Sequence, residues 1–148
     1  MIKWFWIVFG LAFIALFAGT LYVRLASHDP TQWHVDPETV AEVNSDNQYR
    51  DSADVTGDRA TVIARLSQVL TGEVVGGTWD SGFVTLVVRT PLYGYPDYVS
   101  VRVVEASAEM SRVAIFSRSR FGKSDFGANK KRVETILTTL KASRDPAS

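Results

Sequence analysis

The chain has 148 residues, no cysteine, and sixteen basic side chains against sixteen acidic ones, so its formal net charge is zero. That length suits one domain of ordinary size with an appendage, and the composition is that of a folded protein. The lack of cysteine excludes disulfides, thiol chemistry and a lipid-modified cysteine anchor.

Between Lys3 and Arg24 lie twenty uncharged residues, WFWIVFGLAFIALFAGTLYV, which as a helix span roughly 30 Å of hydrocarbon. Residues 1–24 therefore read as a transmembrane anchor, with Trp4 and Trp6 at one headgroup level and Tyr22 at the other. A cleaved signal peptide has an apolar core of only about 7–15 residues and a small-residue cut site. This run is longer, and only Ala18-x-Thr20 approaches such a site. Lys3 and Arg24 nearly balance across the span, but the short head and the acidic stretch beyond favour a cytoplasmic amino end with the globular part outside.

Residues 25–55 lose periodicity and turn polar, with Pro30, Pro37 and the run NSDNQYRDSADVTGD. They read as a juxtamembrane linker that tethers rather than packs, with at most a helical turn after Pro37. Within it, DPTQWHVDP puts Trp33 and His34 just above the membrane, an interfacial tryptophan beside a solvated histidine, with a ligand site as the alternative.

Residues 56–148 read as the globular domain. In DRATVIARLSQVLTG, Val62, Leu66, Val69 and Leu70 recur at helical spacing and Gly72 stops the helix. EVVGGTWD and FVTLVVRT form a hairpin around Ser81-Gly82, with a bulge at Gly76-Gly77. After the loop PLYGYPD come two more alternating runs, YVSVRVVEA and SRVAIFSRSR. The last segment, SDFGANKKRVETILTTLKAS, opens on Ser124 or Asp125 as a cap and carries Phe126, Val133, Ile136, Leu137 and Leu140 along one side. The expectation is a two-layer α+β domain: helix, four-stranded antiparallel sheet, helix, with both helices on one face.

Alternation assigns Val84, Leu86, Val88, Val99, Val101, Val103, Val113 and Ile115 to the helix side. The outer face then carries Arg89, Ser100, Arg102, Arg112, Phe116, Arg118 and Arg120, either as an ordinary solvated face or as a contact for anions. Charge is also divided along the chain, with a balance of −7 from Asp29 to Asp80 and +7 from Ser111 to Arg144. The halves attract each other, or the basic half meets an anionic partner such as phospholipid headgroups.

SRSRFGKS, residues 117–124, is one residue short of a phosphate-binding loop, because Ser117 stands where the first glycine belongs. Asp125 adds a negative charge, and an antiparallel sheet is the wrong setting for such a loop. As ordinary structure, Gly122 lets the chain leave the strand and Ser124 or Asp125 caps the helix. An anion site remains open, because Arg118, Arg120, Lys123 and Ser124 converge near a helix N-terminus. Asp125, Asn129 and Arg132 are candidates for a structural clamp holding the last helix to the sheet.

RVAIFSRSRFGKSDFGANKKRVETIL resembles the signature of the domain-of-unknown-function family numbered 1499: a strand of the type R-S-x-S-R, then G-x-S-D-x-G-x-N-x-x-R-V-E. Arg118, Arg120, Gly122, Ser124, Asp125, Gly127, Asn129, Arg132, Val133 and Glu134 carry the match. The resemblance covers about Val55 to Leu140, and the span with DPTQWHVDP is similar to a membrane-anchored proteobacterial subgroup. It implies a bacterial envelope protein, single-pass in the inner membrane with a periplasmic domain, and no assigned activity.

Catalysis has poor material: His28 and His34, the only histidines, lie in the linker, and no nucleophile triad or metal-ligand spacing occurs. The expectation is a non-catalytic binding or accessory domain without cofactor or metal, held by the bilayer and contacting an anionic lipid, envelope polymer or envelope protein. A structural subunit of a membrane complex is the alternative, with Phe83, Val87, Val104 and Phe116 covered by another chain, and a hydrolytic enzyme is a remote third. Nucleic acid is not an expected partner of a domain outside the cytoplasm, and the oligomeric state stays open.

Overall fold

The structure, a computed structural model, describes residues 2–41, 45–90 and 94–143. Of the expected loop PLYGYPD, residues 91–93 lie outside the described residues, as do residues 144–148 of the expected domain.

Helix α1 (Ile2–Leu25) meets the rest of the described residues only near its C-terminal end and exposes large apolar side chains along its length, among them Trp4, Phe9, Phe13 and Phe17. At 24 residues it is roughly 36 Å long. It is long and apolar enough to cross a membrane or to act as a signal sequence.

A helical turn α2 (Pro30–Trp33) follows after four residues, where Asp29 caps it by accepting from Thr31 N at 2.9 Å and proline takes the first helical position. A turn also closes after Pro37, as expected, with Thr39 N donating to Asp36 O at 3.1 Å but without continuing into a helix; the Asx cap followed by proline adds the helical turn seven residues earlier. The domain then runs β1 (Gln48–Thr56), α3 (Arg59–Val69), β2 (Glu73–Thr78), β3 (Phe83–Arg89), β4 (Pro96–Ser107), β5 (Met110–Ser119) and α4 (Ala128–Ala142).

All strand pairs are antiparallel, in the order β1-β5-β4-β3-β2. The sheet has five strands rather than the expected four, because part of the expected linker pairs with β5 along its whole length, Gln48 against Arg118 through Thr56 against Met110. In β1 the helix-facing series is Tyr49, Asp51, Ala53 and Val55, of which Val55 alone is fully buried. So weak an apolar alternation conceals a strand.

Helices α3 and α4 lie on one face. Asp58 caps α3 through Thr61 N at 2.7 Å. Val62, Leu66 and Leu70 from the α3 segment, with Val133, Ile136, Leu137 and Leu140 of α4, close over Val84, Leu86, Val99, Val101, Val103, Val113 and Ile115. Burial of each such side chain contributes roughly 1.5–3 kcal/mol. The β2–β3 pairing shifts register between Val74 and Gly76, and Gly77 has a φ of 68°, as the glycine pair leads one to expect.

Candidate functional site

The sheet face opposite the helices is covered from within the chain. Residues 27–38 leave α1, meet the sheet at the Tyr98 end of β4 and run along the outer face as a strap. Arg120 Nη1 donates to Ser27 O at 2.6 Å, and His28 Nδ1 lies 2.7 Å from the Tyr98 hydroxyl. Trp33 stacks on the Tyr98 ring, and His34 stacks on Phe83 with centroids 3.8 Å apart while its Nδ1 meets Thr85 Oγ1 at 2.9 Å. Farther along, Asp36 pairs with Arg102 at 3.4 Å, and Glu38 pairs with Arg112 at 3.2 Å and Arg50 at 3.8 Å. The Arg50 Nε also donates to Pro37 O.

This corrects the expectation of a linker that does not pack, and of a Trp33 and His34 at the interface with water. The acidic strap and the arginine-rich face do attract each other inside the chain. Phe83 and Phe116, offered above as surfaces for another chain, are covered by His34 and by the Arg118 guanidinium, which sits 4.6 Å from the Phe116 centroid.

The four anion-site candidates do not form one exposed corner. Arg118 is 7% exposed, lies between the Trp33 and Phe116 rings and donates through Nη2 to Trp33 O. Its Nη1 is buried with no hydrogen-bond partner among the described residues, and burial pushes the guanidinium down to about 10, still cationic at neutral pH. Arg120 is spent partly on Ser27 O and on the Tyr98 hydroxyl at 3.3 Å. Lys123 is exposed, and Ser124 Oγ accepts from Phe126 N at 3.2 Å. The phosphate-loop likeness has no structural counterpart: Ser117 to Ser119 are strand, and the N-cap of α4 is Gly127 rather than the expected Ser124 or Asp125, with Asp125 accepting from Gly127 N and Asn129 N, each at 2.8 Å.

The three clamp candidates stand in one network. Asn129 is fully buried; its Oδ1 accepts from Ser117 Oγ at 2.5 Å and from Arg132 Nη1 at 2.8 Å, and its Nδ2 donates to Ser119 Oγ at 3.0 Å and Asn47 O at 3.1 Å. Arg132 Nη2 donates to Asp97 Oδ2 at 2.8 Å, and Ser119 Oγ donates to Asp97 Oδ1 at 2.7 Å. Asp97, 2% exposed, joins β4 to α4 in this way. Sequence reasoning missed Asp97 because it sits in a turn-like PD pair; its position on the helix-facing, otherwise apolar alternation of β4 is the signal that could have found it.

Both histidines hold the strap. A guanidinium only donates, so His28 Nε2, 3.2 Å from Arg89 Nη2, accepts, and Nδ1–H faces Tyr98. Burial, then the charges of Arg89 and Arg120, hold the His28 pKa below its ordinary value, against the pull of Glu73. Burial lowers His34 likewise, opposed by Asp36.

The end of the sheet nearest α1 holds an open cleft of about 820 Å³ between Val23 of α1, Thr90 and Tyr95, and the segment from Ser119 to Ala128. The same junction brings Tyr22 within 6.3 Å of the Phe121 ring, and Phe126 projects there with 99% exposure and a φ of 55°.

A five-stranded antiparallel sheet with two helices on one face and a strap on the other defines a two-layer α+β domain behind an apolar helix. Residues 29–140 match the family described as a protein of unknown function, DUF1499, and the chain belongs to that family. The match begins at the strap, so strap and sheet fall within one family unit. No curated protein and no solved structure matches the chain.

Proposed function

We propose that this is a membrane-anchored, non-catalytic binding domain of the bacterial envelope, held end-on at the bilayer by its strap so that its α1-proximal end contacts anionic lipid headgroups. The observation that carries the reading is the docking of Ser27 and His28, two and three residues after α1 ends, onto Arg120 and Tyr98. With no free tether between helix and sheet, a spanning α1 keeps the segment Ser119–Ala128 at headgroup level. Arg24, Arg120 and Lys123 lie at this end, where each cation near an anionic surface is worth about 1 kcal/mol. Arg118 has no part in it, being buried under Trp33. Lys3 ahead of α1 and the acidic strap beyond it favour a cytoplasmic amino end and a periplasmic domain.

The test is electron spin resonance of the full chain in mixed bilayers with spin-labelled lipids. A larger motionally restricted fraction is expected for phosphatidylglycerol than for phosphatidylcholine, with the difference shrinking in salt and in an Arg24→Ala/Lys123→Ala variant. Equal fractions for the two lipids would overturn the headgroup reading.

A further inference from the structure

We propose that the cleft beside α1 binds a single amphiphile, a hydrocarbon tail bearing a neutral, hydrogen-donating polar end. The volume of about 820 Å³ lies within the roughly 300–1,000 Å³ typical of small-molecule sites. Val23 and Phe121 form apolar walls with Phe126 at the rim, while Asp97, Ser119 and Asp125 supply the polar lining. Val23 belongs to the last turn of the apolar helix. On the reading that α1 spans a bilayer, on which this inference rests, the wall of the cleft is continuous with the surface that meets lipid. A tail can then enter from the bilayer without crossing water.

The polar lining selects the other end of the ligand. Asp125, half-buried, keeps acceptor capacity on carboxylate oxygens that each already take one backbone N–H, whereas Asp97 is 2% exposed with its oxygens engaged by Ser119 and Arg132. The two carboxylates together disfavour a phosphate or carboxylate at this place. A full positive charge is not called for either, because Arg132 already pairs with Asp97 at 2.8 Å and Asp125 sits at the positive end of α4. A hydroxyl donor fits both conditions. At the mouth, Phe126 exposes its whole ring from a left-handed backbone position, one that bulky residues rarely adopt. A bound tail gives that ring an apolar partner.

The experiment uses the full chain in phosphatidylcholine nanodiscs and a monoacylglycerol carrying a diazirine in its acyl chain, followed by irradiation and peptide mapping. Label is expected in two places, α1 and the Ser119–Ala128 segment. The second is expected to fall at least tenfold with excess 1-oleoylglycerol, but not with 1-oleoylglycerol 3-phosphate, which differs only by its anionic group. Ala128→Trp, which fills the cleft from an exposed helical position, should abolish the second label and leave the first. Label on α1 alone overturns the cleft proposal while leaving the membrane reading standing, and absence of label from α1 overturns the membrane reading. Equal competition by the phosphate overturns the neutral polar end; the competition arms decide the matter even if Ala128→Trp fails to fold.

Discussion

The Trp33 ring lies flat on the Tyr98 ring, centroids 3.9 Å apart and planes 5° from parallel. Tyr98 is fully buried beneath it, and the Arg118 guanidinium stands 5.4 Å from the Trp33 centroid. One strap residue thus covers a core tyrosine and a buried cation together. Trp33→Ala should destabilise the fold by about 2 kcal/mol, from lost apolar burial and ring contact, and Trp33→Phe by less than half of that. Denaturant unfolding of the full chain reads both, and an unchanged midpoint for the alanine variant would mean that the strap adds nothing to stability.

Strap docking should weaken in acid. The folded-state pKa values of His28 and His34 are both lowered from 6.5. Their contribution is therefore complete above that ordinary value and is lost as pH falls below it through the folded values, since protonation is easier in the unfolded chain. At His28, protonating Nε2 would also set an N–H against Arg89 Nη2, now 3.2 Å away. Stability measured between pH 7.5 and 5 should decline, and His28→Asn, whose amide can keep one donor and one acceptor, should flatten the curve. A slope unchanged by that substitution would place the pH dependence elsewhere.

Gly76 leaves room for the strap. A Cβ there would come within 2.7 Å of His34 Cγ and 2.8 Å of its Cβ, atoms too near the backbone to swing aside. Gly76→Ala should displace His34 from Phe83 and expose Thr85. The loss should appear as faster amide exchange in β3, with the helix-side core still protected; unchanged exchange would show that the strap tolerates the methyl.

Asp97 and Arg132 form a pair 2.8 Å apart, with side chains 2% and 18% exposed. Asp97→Ala strands the guanidinium and frees Ser119, and should cost about 2–3 kcal/mol. Lys130 and Glu134, at 3.9 Å and half exposed, should give less than about 0.5 kcal/mol in the same assay. Similar values for the two pairs would argue against the network as the clamp between α4 and the sheet.

Strong periodicity made most of this fold legible. The alternation of β3, β4 and β5 and the residues Val133, Ile136, Leu137 and Leu140 assign faces correctly because the side chains packed between sheet and helices there are mainly apolar, whereas Phe126, expected in the same stripe, lies ahead of α4 and is 99% exposed. The strap and β1 escaped because polar and aromatic residues hold them: Asp36 and Glu38 by ion pairs, His28, Trp33 and His34 by ring contacts, and β1 by backbone pairing with β5. Such long-range partners have no period in the sequence. For the same reason Arg118 read as surface charge: its position on the outer face was right, and the tryptophan eighty-five residues earlier that buries it was invisible.

In the proposed arrangement, strap docking holds the Phe126 end of the domain at the headgroups. The chain has no cysteine, so a nitroxide can be placed at Phe126→Cys or, for comparison, at Ala108→Cys in the turn at the opposite end of the sheet. Power-saturation depth measurement in nanodiscs should find the first label within the headgroup region and the second in bulk water. Two labels equally accessible to a water-soluble relaxant would contradict that placement.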